Sequence, residues 1–179
     1  NMSKDKYFII DFDSTFTQVE ALDELGSISL QHHPDREQIL EQVKQITDSA
    51  MAGNSSFAEG LAKRLELLQA HQSHLPQLIG MLKEKVSDSV RRNKDFLKEY
   101  ADQILIVSSG FKDFITPIVT EYGIKEENIY ANTFKVDEQG NLTGFDEQNL
   151  LSLDKGKIRL LEQLALPGDV YVLGDGYTD

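Results

Sequence analysis

The chain contains no cysteine. Disulfides and thiolate chemistry are therefore excluded. Positive charge is scarce: 18 Lys and Arg stand against 30 Asp and Glu, a formal net charge of −12. A duplex or RNA partner would be repelled, and no Lys/Arg stripe overrides that field. No nucleic acid is expected as a partner. Long apolar runs and a secretory signal pattern are missing too, so no membrane partner is expected and the cytoplasm is the expected compartment. There are no internal repeats and no low-complexity tract. What remains is ordinary for a globular protein: 179 residues, 40% hydrophobic and 27% charged, enough for one substantial core with or without an accessory lobe.

Three apolar runs read as buried strands, at residues 7–12, 103–110 and 169–176. Helical patterns separate them, which predicts a parallel sheet with crossover helices. Between the first two strands lies a long insert, residues 19–93. Its stripes fit four helices. Val19, Leu22, Leu25 and Ile28 mark the first; Ile39, Leu40, Val43, Ile46 and Ala50 mark the second. Phe57, Leu61, Leu65 and Leu68 mark the third; Leu78, Met81, Leu82 and Val86 mark the fourth. Capping boxes are expected at Asp35–Gln38 and at Ser56–Glu59. Four helices form a lobe rather than a loop. Residues 113–122 and 155–164 read as further helices. Residues 129–134 and 142–145 flank the turn-forming "DEQGN" and read as a hairpin.

Each strand run ends in polar, glycine-containing sequence: Asp11-Phe12-Asp13-Ser14-Thr15, Ser108-Ser109-Gly110, and Gly174-Asp175-Gly176-Tyr177-Thr178-Asp179. In an open parallel sheet, ligands bind beyond the carboxyl ends of the strands. The three loops would then gather Asp11, Asp13, Asp175, Asp179 and Ser108 into one pocket. Clustered carboxylates repel one another unless something positive holds them. Mg²⁺ suits that role, since it takes oxygen ligands and usually shares carboxylates with a substrate phosphate. The collection fits Mg²⁺-assisted phosphoryl transfer: a carboxylate nucleophile, a second carboxyl as acid and base, and a hydroxyl, amides and a lysine around the phosphoryl oxygens.

Four motifs in order, "DFDST", "VSSGF", "DKGK" and "GDGYTD", resemble those of the haloacid dehalogenase superfamily, in particular its members that hydrolyse O-phospho-L-serine. The resemblance runs the length of the chain. It implies a Rossmann-like α/β core, residues 1–18 and 94–179, with an inserted helical cap at residues 19–93. It implies Asp11 as nucleophile, Asp13 as general acid and base, and Lys155 as the cation neutralising nucleophile and phosphoryl group. Ser108, Ser109, Gly110 and Thr178 would meet the substrate. The Asp11 carboxylate, the Asp13 carbonyl and Asp175 would hold Mg²⁺, with Asp179 supporting Lys155 or the metal's waters. In the cap, Arg64 would clamp a substrate carboxylate, Glu20 would meet its ammonium, and Met51 and Phe57 would close over it. Arg64 falls on the same helix face as Phe57 and Leu68, so its guanidinium needs an anion or a route to water. Glu20 has a competing reading as the end of a Thr17–Glu20 capping box.

Two residues depart from the family pattern. Ser109 stands where a second glycine is usual, and Thr178 where asparagine is common. The chain also ends inside its fourth motif, which leaves room for a further domain beyond Asp179. Ser109 keeps open a related phosphatase acting on another small phosphomonoester. The early end keeps open a non-catalytic phosphoserine-binding regulatory domain of a longer serine-pathway protein. The histidines at 32, 33, 71 and 74 show no metal-ligand pattern and read as surface residues.

Overall fold

A parallel sheet forms because three Ile- and Val-rich segments alternate apolar side chains to both faces, and helices cover both. The computed structural model describes residues 5–174. The described sheet has four strands in the order β3-β2-β1-β6. They are β1 (Lys6–Ile10), β2 (Ile104–Phe111), β3 (Ile129–Asn132) and β6 (Asp169–Leu173). β1 pairs in parallel with β2 through Ile9 and Leu105, and with β6 through Ile9 and Val172. Ile9, Leu105 and Val107 point to one face, where Leu151 and Leu160 pack on them. Ile10, Ile104 and Ile106 point to the other, into the larger core. The chain leaves β1 for β2 and β3 on one side, then returns to place β6 on the other. The order therefore switches direction between β1 and β6, where an open α/β sheet leaves a crevice.

Six helices stand between β1 and β2: α1 (Ala21–Ser29), α2 (Arg36–Met51), α3 (Phe57–Leu68), α4 (Leu75–Glu84), α5 (Asp88–Arg92) and α6 (Lys94–Glu99). Helices α1–α4 follow the expected stripes. Leu25, Val43, Leu61, Leu65, Leu68, Leu78 and Leu82 are buried in the same cluster as Ile104 and Ile106. Of the two expected caps, Ser56 accepts the Glu59 amide at 3.1 Å, whereas Asp35 begins α2 without a side-chain cap. Among the described residues no helix is long and apolar enough to cross a membrane.

The expected hairpin forms with different partners. The run 129–134 divides at Thr133. Its first part is β3, which extends the parallel sheet beside β2. Its second part begins β4 (Phe134–Val136), which pairs antiparallel with β5 (Leu142–Phe145). Ile129 and Ala131 sink into the sheet's core, while Phe134 stacks on Phe111 with ring centroids 3.7 Å apart. After β2 comes α7 (Lys112–Val119), and α8 (Gly156–Leu164) precedes β6.

His71 is a joint rather than a free surface residue. Its Nε2 donates to the Gln139 carbonyl at 2.6 Å, and its Nδ1 accepts the Ser73 amide. It thereby ties the turn after α3 to the β4–β5 hairpin.

Candidate active site

Asp11 follows β1 directly and is 6% exposed. Its amide donates to the Leu173 carbonyl at 3.0 Å, which fixes it at the switch point between β1 and β6. Gly174, at the end of β6, has φ +121°, and a Cβ there would lie 2.5 Å from the Asp11 Cβ. No side chain fits at that close approach. The Asp11 carboxylate accepts the Phe12 amide through Oδ1 and the Lys157 ammonium through Oδ2, each at 2.7 Å. Lys157 comes from the first turn of α8, whose side chains lean back toward the helix start. Sheet and helix thus bring a carboxylate and an ammonium together in a place with little water.

Residues 12–16 form one tight turn in which Ser14 takes φ +57°. This aims the Asp13 carboxylate at the start of α1, where Oδ1 accepts the Ala21 amide at 2.8 Å. Burial pushes the Asp13 carboxyl up to about 7, with Glu20 and Asp11 adding to the rise and the Ala21 bond and Lys157 opposing it. Burial likewise raises Glu20, whose Oε2 accepts the Ser14 hydroxyl at 3.2 Å. The alternative Thr17–Glu20 capping box does not form: Glu20 begins α1 with no side-chain cap bond, and the Thr17 hydroxyl donates to the Lys85 carbonyl.

At the end of β2, Ser108 is fully buried and its Oγ accepts the Gly110 amide at 2.9 Å. A Cβ on Gly110 would lie 3.2 Å from both Asp13 Oδ2 and Ser108 Oγ. Asp13, Ser108 and Gly110 therefore converge, and a larger residue at 110 would crowd them.

Beside these loops lies a cleft of about 240 Å³, lined by Met51, Phe57, Arg64, Ser109, Lys155 and Lys157 among others. Lys157 belongs to both places, since it lines the cleft and holds Asp11. Arg64 lies over the Phe57 ring, 5.9 Å from its centroid. Its Nε is buried and makes no hydrogen bond to the described residues. Burial draws the guanidinium below its usual value, against the pull of Asp23, Glu20 and Asp13. It stays charged. The cleft is thus a cationic island in an acidic protein.

No family model matches the chain. Its sequence is 28% identical over 172 residues to the human phosphoserine phosphatase, covering 94% of this chain and 73% of that protein. It is 30% identical over 173 residues to the chloroplastic phosphoserine phosphatase of Arabidopsis thaliana, covering 94% of this chain and 56% of that one. The crystal structure of a phosphoserine phosphohydrolase-like protein from Francisella tularensis superposes with a TM-score of 0.80 at 28% identity, over 97% of this chain and 79% of the other. A haloacid dehalogenase family hydrolase from Salmonella enterica shares the fold, with a TM-score of 0.68 at 18% identity, over 94% of this chain and 55% of that one. The chain is similar in sequence to phosphoserine phosphatases and shares the fold of a haloacid dehalogenase family hydrolase.

Of the expected residues, Phe57, Arg64 and Ser109 line the cleft; Asp11 is tied to it through Lys157, Asp13 and Ser108 meet beside Gly110, and Glu20 accepts the Ser14 hydroxyl. Asp175, Thr178 and Asp179 lie outside the described residues. Met51 lines the cleft but is 82% exposed, so it stands at the rim rather than over the interior. Lys155 lines the cleft. It was expected on the nucleophile, but the lysine that reaches Asp11 is Lys157. The reason is local: Lys155 precedes α8 in the left-handed region, at φ +56°, and its exposed side chain goes to the cleft mouth.

Sequence reasoning also missed Asp154 and Asp23. Asp154 Oδ1 accepts the Phe57 amide at 2.9 Å, so a loop before α8 caps α3 from across the cleft. Nothing in the local sequence marks this contact. Asp23 faces Arg64 from α1, and burial raises its carboxyl. Its spacing of three from Glu20 was the available signal.

Proposed function

We propose that this chain is a Mg²⁺-dependent hydrolase that converts O-phospho-L-serine to L-serine and phosphate through an aspartyl-phosphate on Asp11. The observation that carries this reading is the cleft's pair of cations. Lys157 is bound to a buried carboxylate, and Arg64 lies in the same cleft with a buried Nε that has no hydrogen-bond acceptor among the described residues. A substrate with a phosphate at one end and a carboxylate at the other matches the two. The similarity to phosphoserine phosphatases over 94% of the chain supports the same substrate.

The donor chemistry fits Mg²⁺. Glu20 and Asp11 add to the rise of the Asp13 carboxyl, Asp23 and Asp11 to that of Glu20, and Lys157 opposes both. Among the described residues no three acidic or histidine side chains form a metal cluster. Mg²⁺ is usually held by one or two carboxylates, its shell completed by phosphate and water. We assign Asp11 and the Asp13 carbonyl to it, with Asp175 as the third ligand. The ion, when bound, neutralises phosphate charge beside the anionic nucleophile.

An Asp11 carboxylate oxygen attacks phosphorus, and the ester P–O bond breaks. Asp13, near half-protonated at neutral pH, gives its proton to the departing serine oxygen. Lys157 and the end of β2 at Ser108–Gly110 hold the phosphoryl oxygens while charge shifts. Water then attacks the aspartyl-phosphate, Asp13 takes its proton, and Asp11 is restored as phosphate leaves. Arg64 holds the substrate carboxylate and Glu20 its ammonium throughout. We propose that residues 1–18 and 94–179 form the catalytic core and residues 19–93 a cap that excludes bulk water. We place the reaction in the cytoplasm and in serine biosynthesis.

The test is Mg²⁺-dependent phosphate release from a panel of phosphomonoesters by the uninterrupted gene product, with Asp11→Asn as control. Phosphoserine should be preferred and Asp11→Asn inert. A second reading, another small phosphomonoester, rests on the Ser109 side of the cleft, and a stronger preference for a phosphate without an amino-acid moiety would establish it.

A further inference from the structure

Asn132 ends β3 and is fully buried, with no part in the chemistry described above. Both hydrogens of its Nδ2 are used. One goes to the Ser109 carbonyl at 2.9 Å, the other to the Leu151 carbonyl at 3.0 Å. Ser109 follows Ser108 in the last residues of β2, where the register with β3 shifts. Leu151 lies in the loop that leads to Lys155 and Lys157. One amide therefore joins two segments that meet the same cleft from different strands. The orientation of the amide is decided by its partners, because an oxygen turned toward two carbonyls would be repelled.

The other end of the side chain is the telling part. Asn132 Oδ1 is buried and has no hydrogen-bond partner among the described residues. An unsatisfied buried acceptor destabilises a fold, and each such group calls for a reason. Packing alone does not supply one, since an apolar residue would fill the space without the orphan. A second asparagine works beside it: Asn149 Nδ2 donates to the Ala131 carbonyl at 2.8 Å, and its Oδ1 accepts the Leu151 amide at 3.0 Å. The loop before α8 is thus stitched to β3 at two points, and Asn132 carries the stitch on to the end of β2.

We propose that Asn132 is a positioning residue: its amide clamps the Ser108–Gly110 end of β2 to the segment from Leu151 to the start of α8, so that the groups around the phosphate keep one spacing. The clamp follows from the hydrogen bonds. Its consequence for turnover rests on the hydrolase reading above. Displacements of about 1 Å can reduce turnover about 10²-fold. Contacts with the far end of the substrate, at Arg64, do not run through Asn132.

The experiment compares the wild-type chain with Asn132→Ala and with Asn132→Asp, which keeps the volume but cannot donate as a carboxylate. If Asn132→Ala does not fold, Asn132→Asp carries the test. Amide hydrogen exchange is read at both segments, and steady-state kinetics with phosphoserine well below the melting temperature. The clamp predicts faster exchange in both segments together. It also predicts turnover per folded molecule reduced about 10- to 100-fold, with KM changed less than about threefold. Unchanged exchange, or faster exchange in one segment alone, overturns the clamp. Loosened segments with unaltered turnover overturn the positioning role. Should the wild type hydrolyse no phosphomonoester while both segments loosen together, the clamp stands and the hydrolase reading falls.

Discussion

Lys157 and Asp11 stand 146 positions apart in the chain, yet their side chains meet at 2.7 Å, and both are at most 13% exposed. Removing one member of a buried ion pair leaves the other uncompensated, which costs about 3–5 kcal/mol. Lys157→Met should therefore lower unfolding stability by an amount of this order, measured by urea denaturation. It should also reduce phosphoserine turnover by about 10²-fold or more, by analogy with the loss of one oxyanion donor. Lys155→Ala, at the exposed cleft mouth, should do much less to either. If Lys155→Ala abolishes turnover while Lys157→Met retains it, the assignment of the nucleophile's partner is reversed.

Arg64 makes a different prediction because it is remote from the phosphate in the proposed pose. Arg64→Ala should raise KM for phosphoserine by about 10- to 100-fold, the range of one charged hydrogen bond of about 1.5–3 kcal/mol. For p-nitrophenyl phosphate, which has no carboxylate, the change should be small. Equal effects on both substrates would remove the clamp.

Asp154 tests how the helical segment is held against the sheet segment. Its carboxylate accepts the first amide of α3 at 2.9 Å, alongside the Ser56 cap. Asp154→Ala should destabilise the protein by about 1 kcal/mol, the usual size of a lost N-cap. Asp154→Asn should recover most of it. A melting temperature untouched by Asp154→Ala would show that the bond is not populated in solution.

Asp13 gives a pH signature in the metal-free protein. Its carboxyl sits at about 7 in the fold, against an ordinary 3.8, chiefly because burial disfavours the charge. The folded state therefore holds the proton more tightly than the unfolded chain. The associated stability is fully present below about pH 4 and is lost as pH rises toward and through 7. Asp13→Asn removes this dependence. The variant's stability relative to wild type should climb between pH 4 and 7 and be level above about 8. A difference that stays flat over that range in parallel denaturation series rules out the raised carboxyl.

Several features were legible along the chain because they are local. The alternating Ile and Val runs, the stripes of α1–α4 and the Ser56 cap depend on neighbours within a few residues. So does the placing of Asp11, Ser108 and the start of α8 at element ends. Other features were not legible, because they depend on competition between distant partners. The run at 129–134 has a strand's composition throughout. Only the room beside β2 and the stacking of Phe134 on Phe111 divide it into a sheet strand and a hairpin strand. Asp154 and Asn132 are unremarkable as neighbours in sequence, and acquire roles from amides and carbonyls brought to them by other elements.

The two lysines of "DKGK" show the division most clearly. Through its resemblance to a family motif, the order "DKGK" implied a cation arriving at the carboxyl edge of the sheet, and the apolar period set a helix from about residue 155. Which lysine touches Asp11 was decided by the fold: a left-handed Lys155 faces the cleft mouth, and the first helical turn directs Lys157 inward. A two-residue choice of this kind turns on backbone dihedrals and the packing of α8 against β1 and β2, and those exist only once the sheet has assembled.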